Sequence, residues 1–151
     1  MTAHMTLTLP TPSEFVTLRR DTSWGAINLD QATAALKGSL CGVTLRMQHQ
    51  TIGMVRVVGD GVLNLYLQDV IVSNIHRGQG HGRALLDAII RYLQTQYPPT
   101  TSVGLMAAYG QDGFYARFGF TARPTENFGP GMQTQLSDLR VSHLANRAAG
   151  A

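Results

Sequence analysis

VIVSNIHRGQGHGRALL, residues 70–86, decides how the rest of the chain is read. An apolar run, VIV, ends in a loop in which Gly78, Gly80 and Gly82 alternate with Gln79 and His81 between Arg77 and Arg83. A helix then begins near Gly80 or Gly82. The first turn of a helix presents unpaired amides and the positive end of the helix dipole. Glycines let a backbone approach an anion closely, and the two arginines add charge. This is the physical recipe for a pyrophosphate cradle. Two common phosphate motifs do not fit it. There is no Lys-Ser/Thr pair of the kind a P-loop needs. The glycines are spaced by two throughout, and the hairpins ahead of them do not suit a dinucleotide-binding unit.

Working outward, the helix over 80–96 carries Leu85, Leu86, Ile89, Ile90 and Leu93 on one face and stops at Pro98 and Pro99. On the N-terminal side, alternating residues predict strands over 42–48, 51–58 and 62–72, with a turn at His49 and Gln50 and a hairpin signal in Gly59-Asp60-Gly61. The two-residue period slips at Asp69 and Val70, which predicts a bulge. Residues 14–20 read as a short strand. Residues 28–38 read as a helix capped by Asn28. Downstream, a strand is expected over 101–109, a short helix over 112–118 ended by Gly119, and closing strands over 120–123 and 132–138. Hairpins followed by a β-α-β crossover predict an α/β fold with a mixed sheet.

Composition bounds the function. At 151 residues the chain suits one domain, and 1–151 is expected to be one, with a tail that frays from about residue 140. Charged residues are 14% of the chain, against roughly 25% in a typical domain. The net charge of +3 is spread along the chain, so no basic stripe points to nucleic acid. The single cysteine, Cys41, excludes an internal disulfide and a thiolate zinc cluster. His4, His49, His76, His81 and His143 show no metal spacing. With no signal peptide and no membrane-length apolar run visible, a cytoplasmic protein is expected.

Two motifs then combine. Arg77-Gly78-Gln79-Gly80-His81-Gly82 matches Arg/Gln-x-x-Gly-x-Gly/Ala, and GFYARFGF at 113–120 places a tyrosine helix before Gly-Phe. Together, in this order, they resemble the GNAT superfamily of acetyl-CoA-dependent N-acetyltransferases over about residues 42–138. The resemblance implies a mixed, mostly antiparallel central sheet with a splayed pair of strands and flanking helices. It also implies direct transfer of acetyl from acetyl-CoA to an amine. Arg77, Gly78, Gln79, Gly80, His81, Gly82 and Arg83 would hold the pyrophosphate. Backbone groups of Val70 and Val72 would pair with the pantetheine arm, and an amide near Val70 or Ile71 would polarise the thioester carbonyl. Tyr115 would protonate the departing thiolate. Asp69 is the first candidate for the base that deprotonates the amine, ahead of Glu126 and His76. One departure stands out. The Asn that many members carry near the start of the tyrosine helix is missing from AAYGQDG, residues 107–113.

Trp24, Tyr66, Gln68 and Tyr109 are candidates for the acceptor pocket, and the loop 123–132 for one of its walls. The acceptor is expected to be a small-molecule or peptide amine, with no nucleic acid, membrane or metal involved. A homodimer is compatible with the resemblance. The rival readings are transfer of another acyl group and a non-catalytic acyl-CoA-sensing module. Such a module would have no need of Tyr115.

Overall fold

The structure is a computed structural model that describes residues 2–142. His143 and the rest of the expected tail lie outside the described residues. The chain divides into two compact units, one ending at Met106 and the other beginning at Ala107.

The first unit holds a five-stranded sheet. Its strands run in sequence order across the sheet: β1 (Ala3–Thr6), β2 (Cys41–Met47), β3 (Gln50–Gly59), β4 (Asn64–Val72) and β5 (Ser102–Gly104). The first four pair antiparallel, and β5 runs parallel to β4. A parallel neighbour needs a crossover, which the helix α3 (His81–Gln96) supplies. This is the mixed, mostly antiparallel sheet that the motifs implied. Two further helices, α1 (Pro12–Arg20) and α2 (Leu29–Lys37), lie between β1 and β2 in the chain.

Strand alternation sends these helices to opposite faces. Met54 and Ile71 join Phe15 and Leu18 of α1 and Ala32 and Leu36 of α2 in one buried cluster. The adjacent residue Gly53 points the other way. A Cβ there would meet Leu85 of α3 at 3.0 Å. Leu85, Leu86 and Ile89 of α3 are fully buried.

Two features of β4 position the site. The first is the expected bulge. Met54 pairs with Ile71 and Arg56 with Gln68, so Val55 alone stands opposite Asp69 and Val70. The second is the splay. The pairing with β5 covers Asn64, Leu65 and Tyr66. Beyond Tyr66, no strand among the described residues flanks that side of β4.

Several sequence expectations need correcting. Residues 14–20 are helix, not strand. Thr11 and Glu14 form a capping box around the proline at the helix start, and this local geometry overrides the alternation of EFVTLRR. β1 was not expected. The tight turn falls at Gln48 and His49, with Gln50 already in β3. The strand expected over 101–109 shrinks to β5. Residues 120–123 and 132–138 contain no strand, and Leu136–Asp138 is a single 3₁₀ turn. Pro124, Pro130 and the glycines around them do not sustain a strand pair. The helix capped by Asn28 and the Gly59-Asp60-Gly61 turn stand where expected. One Asp60 carboxylate oxygen accepts from the amides of Val62, Leu63 and Asn64 at 2.8–2.9 Å.

The second unit contains the helix α4 (Asp112–Ala116). The helix is shorter than the expected 112–118, with Arg117 as its C-cap, so Gly119, at φ +91°, lies in the turn that follows rather than directly at the helix end. Phe114 packs edge-on against both Tyr115 and Phe118, and Tyr115 against Phe120. In the loop 123–132, Arg123 donates to the carbonyl of Gly129 at 2.6 Å and lies over the ring of Phe128.

Candidate active site

In the glycine-rich loop, Gly78 and Gly80 both adopt left-handed backbone, with φ +72° and +83°. A Cβ built at either would have nothing within 4 Å. The loop therefore needs glycine for its conformation and keeps open space above it. Gly80 is the N-cap of α3 and, having no side chain, leaves the first-turn amides uncapped. The amides of His81, Gly82 and Arg83 belong to that turn. His81 Nε2 is buried with no hydrogen-bond partner among the described residues. Gln79 reaches back to the carbonyl of Ile75 at 3.4 Å. The Arg83 side chain is 79% exposed, with Asp87 at 3.9 Å one turn away.

Arg77 has a different setting from Arg83. Its Nε donates to the carbonyl of Val72 at 3.0 Å and its Nη2 to the carbonyl of Asp21 at 2.9 Å. The Asp21 carboxylate in turn accepts from the amide of Asn74 at 2.9 Å. Arg77 thus braces the loop against the end of β4 and the end of α1. The His76 ring is also engaged, with Nδ1 2.7 Å from the Ser73 hydroxyl.

The Ser73 amide bonds to Ile52 of β3 at 2.8 Å. Backbone groups alternate sides along a strand, so those of Val72 turn to the open edge, where Arg77 takes the carbonyl. Val70 is the second residue of the bulge, and Ile71 resumes the ladder, paired with Met54 of β3. Tyr66 and Gln68 share one face of β4, and the ring of Tyr66 lies where a Cβ on Gly104 of β5 would touch it.

Asp69 is the residue whose surroundings depart most from expectation. Its side chain is 1% exposed, and each carboxylate oxygen carries a guanidinium. Arg19 Nη1 is 2.5 Å from Oδ1, and Arg56 Nε is 2.6 Å from Oδ2. A base for an incoming amine needs a reachable oxygen, and this enclosure is at odds with that role. Arg19 also donates to the carbonyls of Gly25 and Trp24 and lies over the Trp24 ring. Arg56 reaches Ser39 Oγ and the ring of Phe15. Sequence reasoning missed both arginines. The available signal was the Thr11-Pro12-Ser13-Glu14 capping box. Reading 14–20 as helix places Phe15 and Arg19 four residues apart on one face.

In the second unit, burial raises the Tyr115 phenol above its ordinary pKa. Tyr109 is fully exposed. Gln111 is the N-cap of α4, without a capping hydrogen bond from its side chain.

A GNAT acetyltransferase domain model matches residues 21–134. The chain belongs to the GNAT acetyltransferase family. A solved structure of a probable acetyltransferase from meticillin-resistant Staphylococcus aureus is similar to it, with a TM-score of 0.79 and 30% identity, over 89% of this chain and 99% of that one. The probable acetyltransferase TAP2 of Glycine max is 31% identical over 69% of this chain and 46% of its own length. The histone acetyltransferase TAP1 of Glycine max is 31% identical over 67% of this chain and 48% of its own. The chain thus spans about half the length of these two plant relatives. Acetyl-CoA, which the family uses, meets fitting residues here: an open glycine loop on an uncapped helix, next to a strand edge that no strand among the described residues flanks. Among the described residues no helix is long and apolar enough to cross a membrane.

Proposed function

We propose that this chain moves the acetyl group of acetyl-CoA directly to a primary amine of a small molecule or peptide, with residues 1–151 working as one acetyltransferase domain in the cytoplasm. The observation that carries the reading is the open glycine loop at the start of α3 beside the bulged, unflanked part of β4. Acetyl-CoA supplies an acyl group activated as a thioester. The first-turn amides of α3 and the exposed guanidinium of Arg83 hold its pyrophosphate. The edge Val70–Val72 receives the pantetheine arm as an added strand. The Val72 amide is the open partner there, because Arg77 occupies the carbonyl. Of the two amides near the bulge, that of Val70 stabilises the negative charge that develops on the carbonyl oxygen, since Ile71 is paired with Met54 of β3. Tyr115 protonates the departing thiolate. A phenol is a weaker acid than a thiol, so this role depends on close placement. Its raised pKa keeps the proton in place at neutral pH. Trp24, Tyr66, Gln68 and Tyr109 contact the acceptor.

The experiment is an amine panel read by release of CoA thiol, with lysine peptides included because one relative is a histone acetyltransferase. Turnover with at least one amine is expected. Acetyl-CoA binding without turnover on any amine would leave a sensing module, and turnover only with a different acyl-CoA would move the assignment to another acyl group. The cofactor half has its own check. Gly80→Asp puts a negative side chain at a left-handed position facing the pyrophosphate, and calorimetry should show acetyl-CoA affinity lost in a folded variant. Wild-type affinity in Gly80→Asp would remove the loop from the site.

A further inference from the structure

Asp69 is more than an ordinary strand residue, and its surroundings are built. Its φ of +50° lies in the left-handed region, which L residues other than asparagine and aspartate rarely enter. It sits at the bulge of β4, on the stretch that no strand flanks among the described residues beyond Tyr66. A ladder on both sides would hold a strand's geometry. Here one side has no ladder, and the bulge interrupts the other. Something else has to hold the backbone at this point.

The two guanidiniums meet that need. Arg19 comes from α1 and Arg56 from β3, and each binds a different oxygen of the same carboxylate. Each arginine is itself fixed elsewhere. Arg19 is held by the carbonyls of Trp24 and Gly25, and Arg56 by Ser39 and the face of Phe15. The carboxylate is therefore gripped from two sides by groups that are not free to follow it. A buried charge needs such partners, and the partners determine where the backbone that carries it can lie.

We propose that Asp69 is a positioning residue, and that the Arg19–Asp69–Arg56 clamp holds the bulge so that the amide of Val70, the other residue of the bulge, is aimed at the acyl carbonyl. This rests on the acetyl-transfer reading above and adds to it the group that aims the polarising amide. Asp69 then does not take the amine's proton. Misaiming a preorganised donor is costly, because a misplacement of about 1 Å can cost on the order of 100-fold in rate.

The test uses the full chain and a ketone analogue of acetyl-CoA, with a methylene in place of the sulfur and ¹³C at the carbonyl. The carbonyl signal of the bound analogue reports polarisation by the amide. Asp69→Asn keeps tolerance for left-handed backbone and the side chain's shape but removes the charge. Arg19→Lys is the milder variant, should Asp69→Asn fail to fold, since it keeps the charge and loses the fork. In wild type the bound signal should be displaced from its free value. In either folded variant it should move back toward that value while analogue affinity changes by less than about threefold and kcat falls on the order of 10–100-fold. The pH–rate profile should keep its shape. Wild-type kcat and carbonyl signal in a folded variant would overturn the proposal, as would losses of kcat and affinity that only track a lowered Tm. Disappearance of the acid limb in Asp69→Asn would make the residue a base after all and overturn it too. Wild-type protein that binds the analogue and turns over amines, yet leaves the carbonyl signal unmoved, would sink the clamp and leave acetyl transfer standing. Wild-type protein that neither binds nor turns over would sink both.

Discussion

Tyr115 can be judged one residue at a time, because Phe differs from it by a single oxygen. Tyr115→Phe keeps the edge-on packing against Phe114 and Phe120 and deletes the proton. Acetyl-CoA affinity and Tm should stay near wild type, while kcat falls about 10²–10⁴-fold, the usual worth of an acid–base group. The loss should appear in kcat rather than KM. Since burial raises the phenol's pKa, its deprotonation should not limit the rate anywhere from pH 7 to 9. Full activity of the Phe variant at saturating amine would leave water as the acid. The helix that carries Tyr115 and the glycine loop were legible as structure because each sits in a local motif. Asp69 was legible only as a residue of interest. Its partners Arg19 and Arg56 lie 50 and 13 residues away, and no local pattern joins them.

Among the elements, the loop between β4 and α3 separates two arginines that look equivalent in the sequence. Arg77 is spent on the carbonyls of Val72 and Asp21, whereas Arg83 projects from the first turn of α3 into solvent. Arg83→Ala should weaken acetyl-CoA by about 1.5–3 kcal/mol, the range for a charge-assisted hydrogen bond, and weaken a pantetheine fragment hardly at all. Arg77→Ala should lower Tm and weaken both ligands together, because the loop itself loosens. Calorimetry with the two ligands separates these outcomes, and a phosphate-selective loss in Arg77→Ala would show that the guanidinium swings out to the anion. The elements also show where reading by period fails. β2, β3, β4 and α3 repeat long enough for the pattern to speak. α1 does not, because Val16 and Thr17 favour a strand while the capping box that starts the helix lies upstream of the apolar residues. β5 keeps only the part that pairs with β4, and the apolar run after Gly104 carries no mark of where pairing ends.

For the whole molecule, charge sets the response to acid. Glu14 ties the start of α1 to the sheet. Burial raises its pKa, but the hydroxyl of Thr51, the amide of Thr11 and the guanidinium of Arg46 outweigh that and bring it down to about 2 from 4.5. The amides of Asn64 and Val62 bring Asp60 down to about 2 from 3.8, against a smaller opposing effect of desolvation. In both cases the folded value lies below the unfolded one, so the unfolded chain binds more protons in this range and stability falls as the pH falls. The contribution is complete above about pH 4.5 and is lost progressively down to about pH 2. Urea midpoints measured from pH 6 to pH 2 should therefore drop through that window. Glu14→Gln should be less stable than wild type at pH 6 and should lose less on acidification, so that the two curves converge near pH 2. Because Glu14 is partly exposed, salt should shrink the gap between the curves. Parallel curves would mean that the carboxylate of Glu14 has no special partners in solution, and the tie between α1 and the sheet would have to rest on the packing of Phe15 and Leu18 and on the Arg19–Asp69–Arg56 clamp.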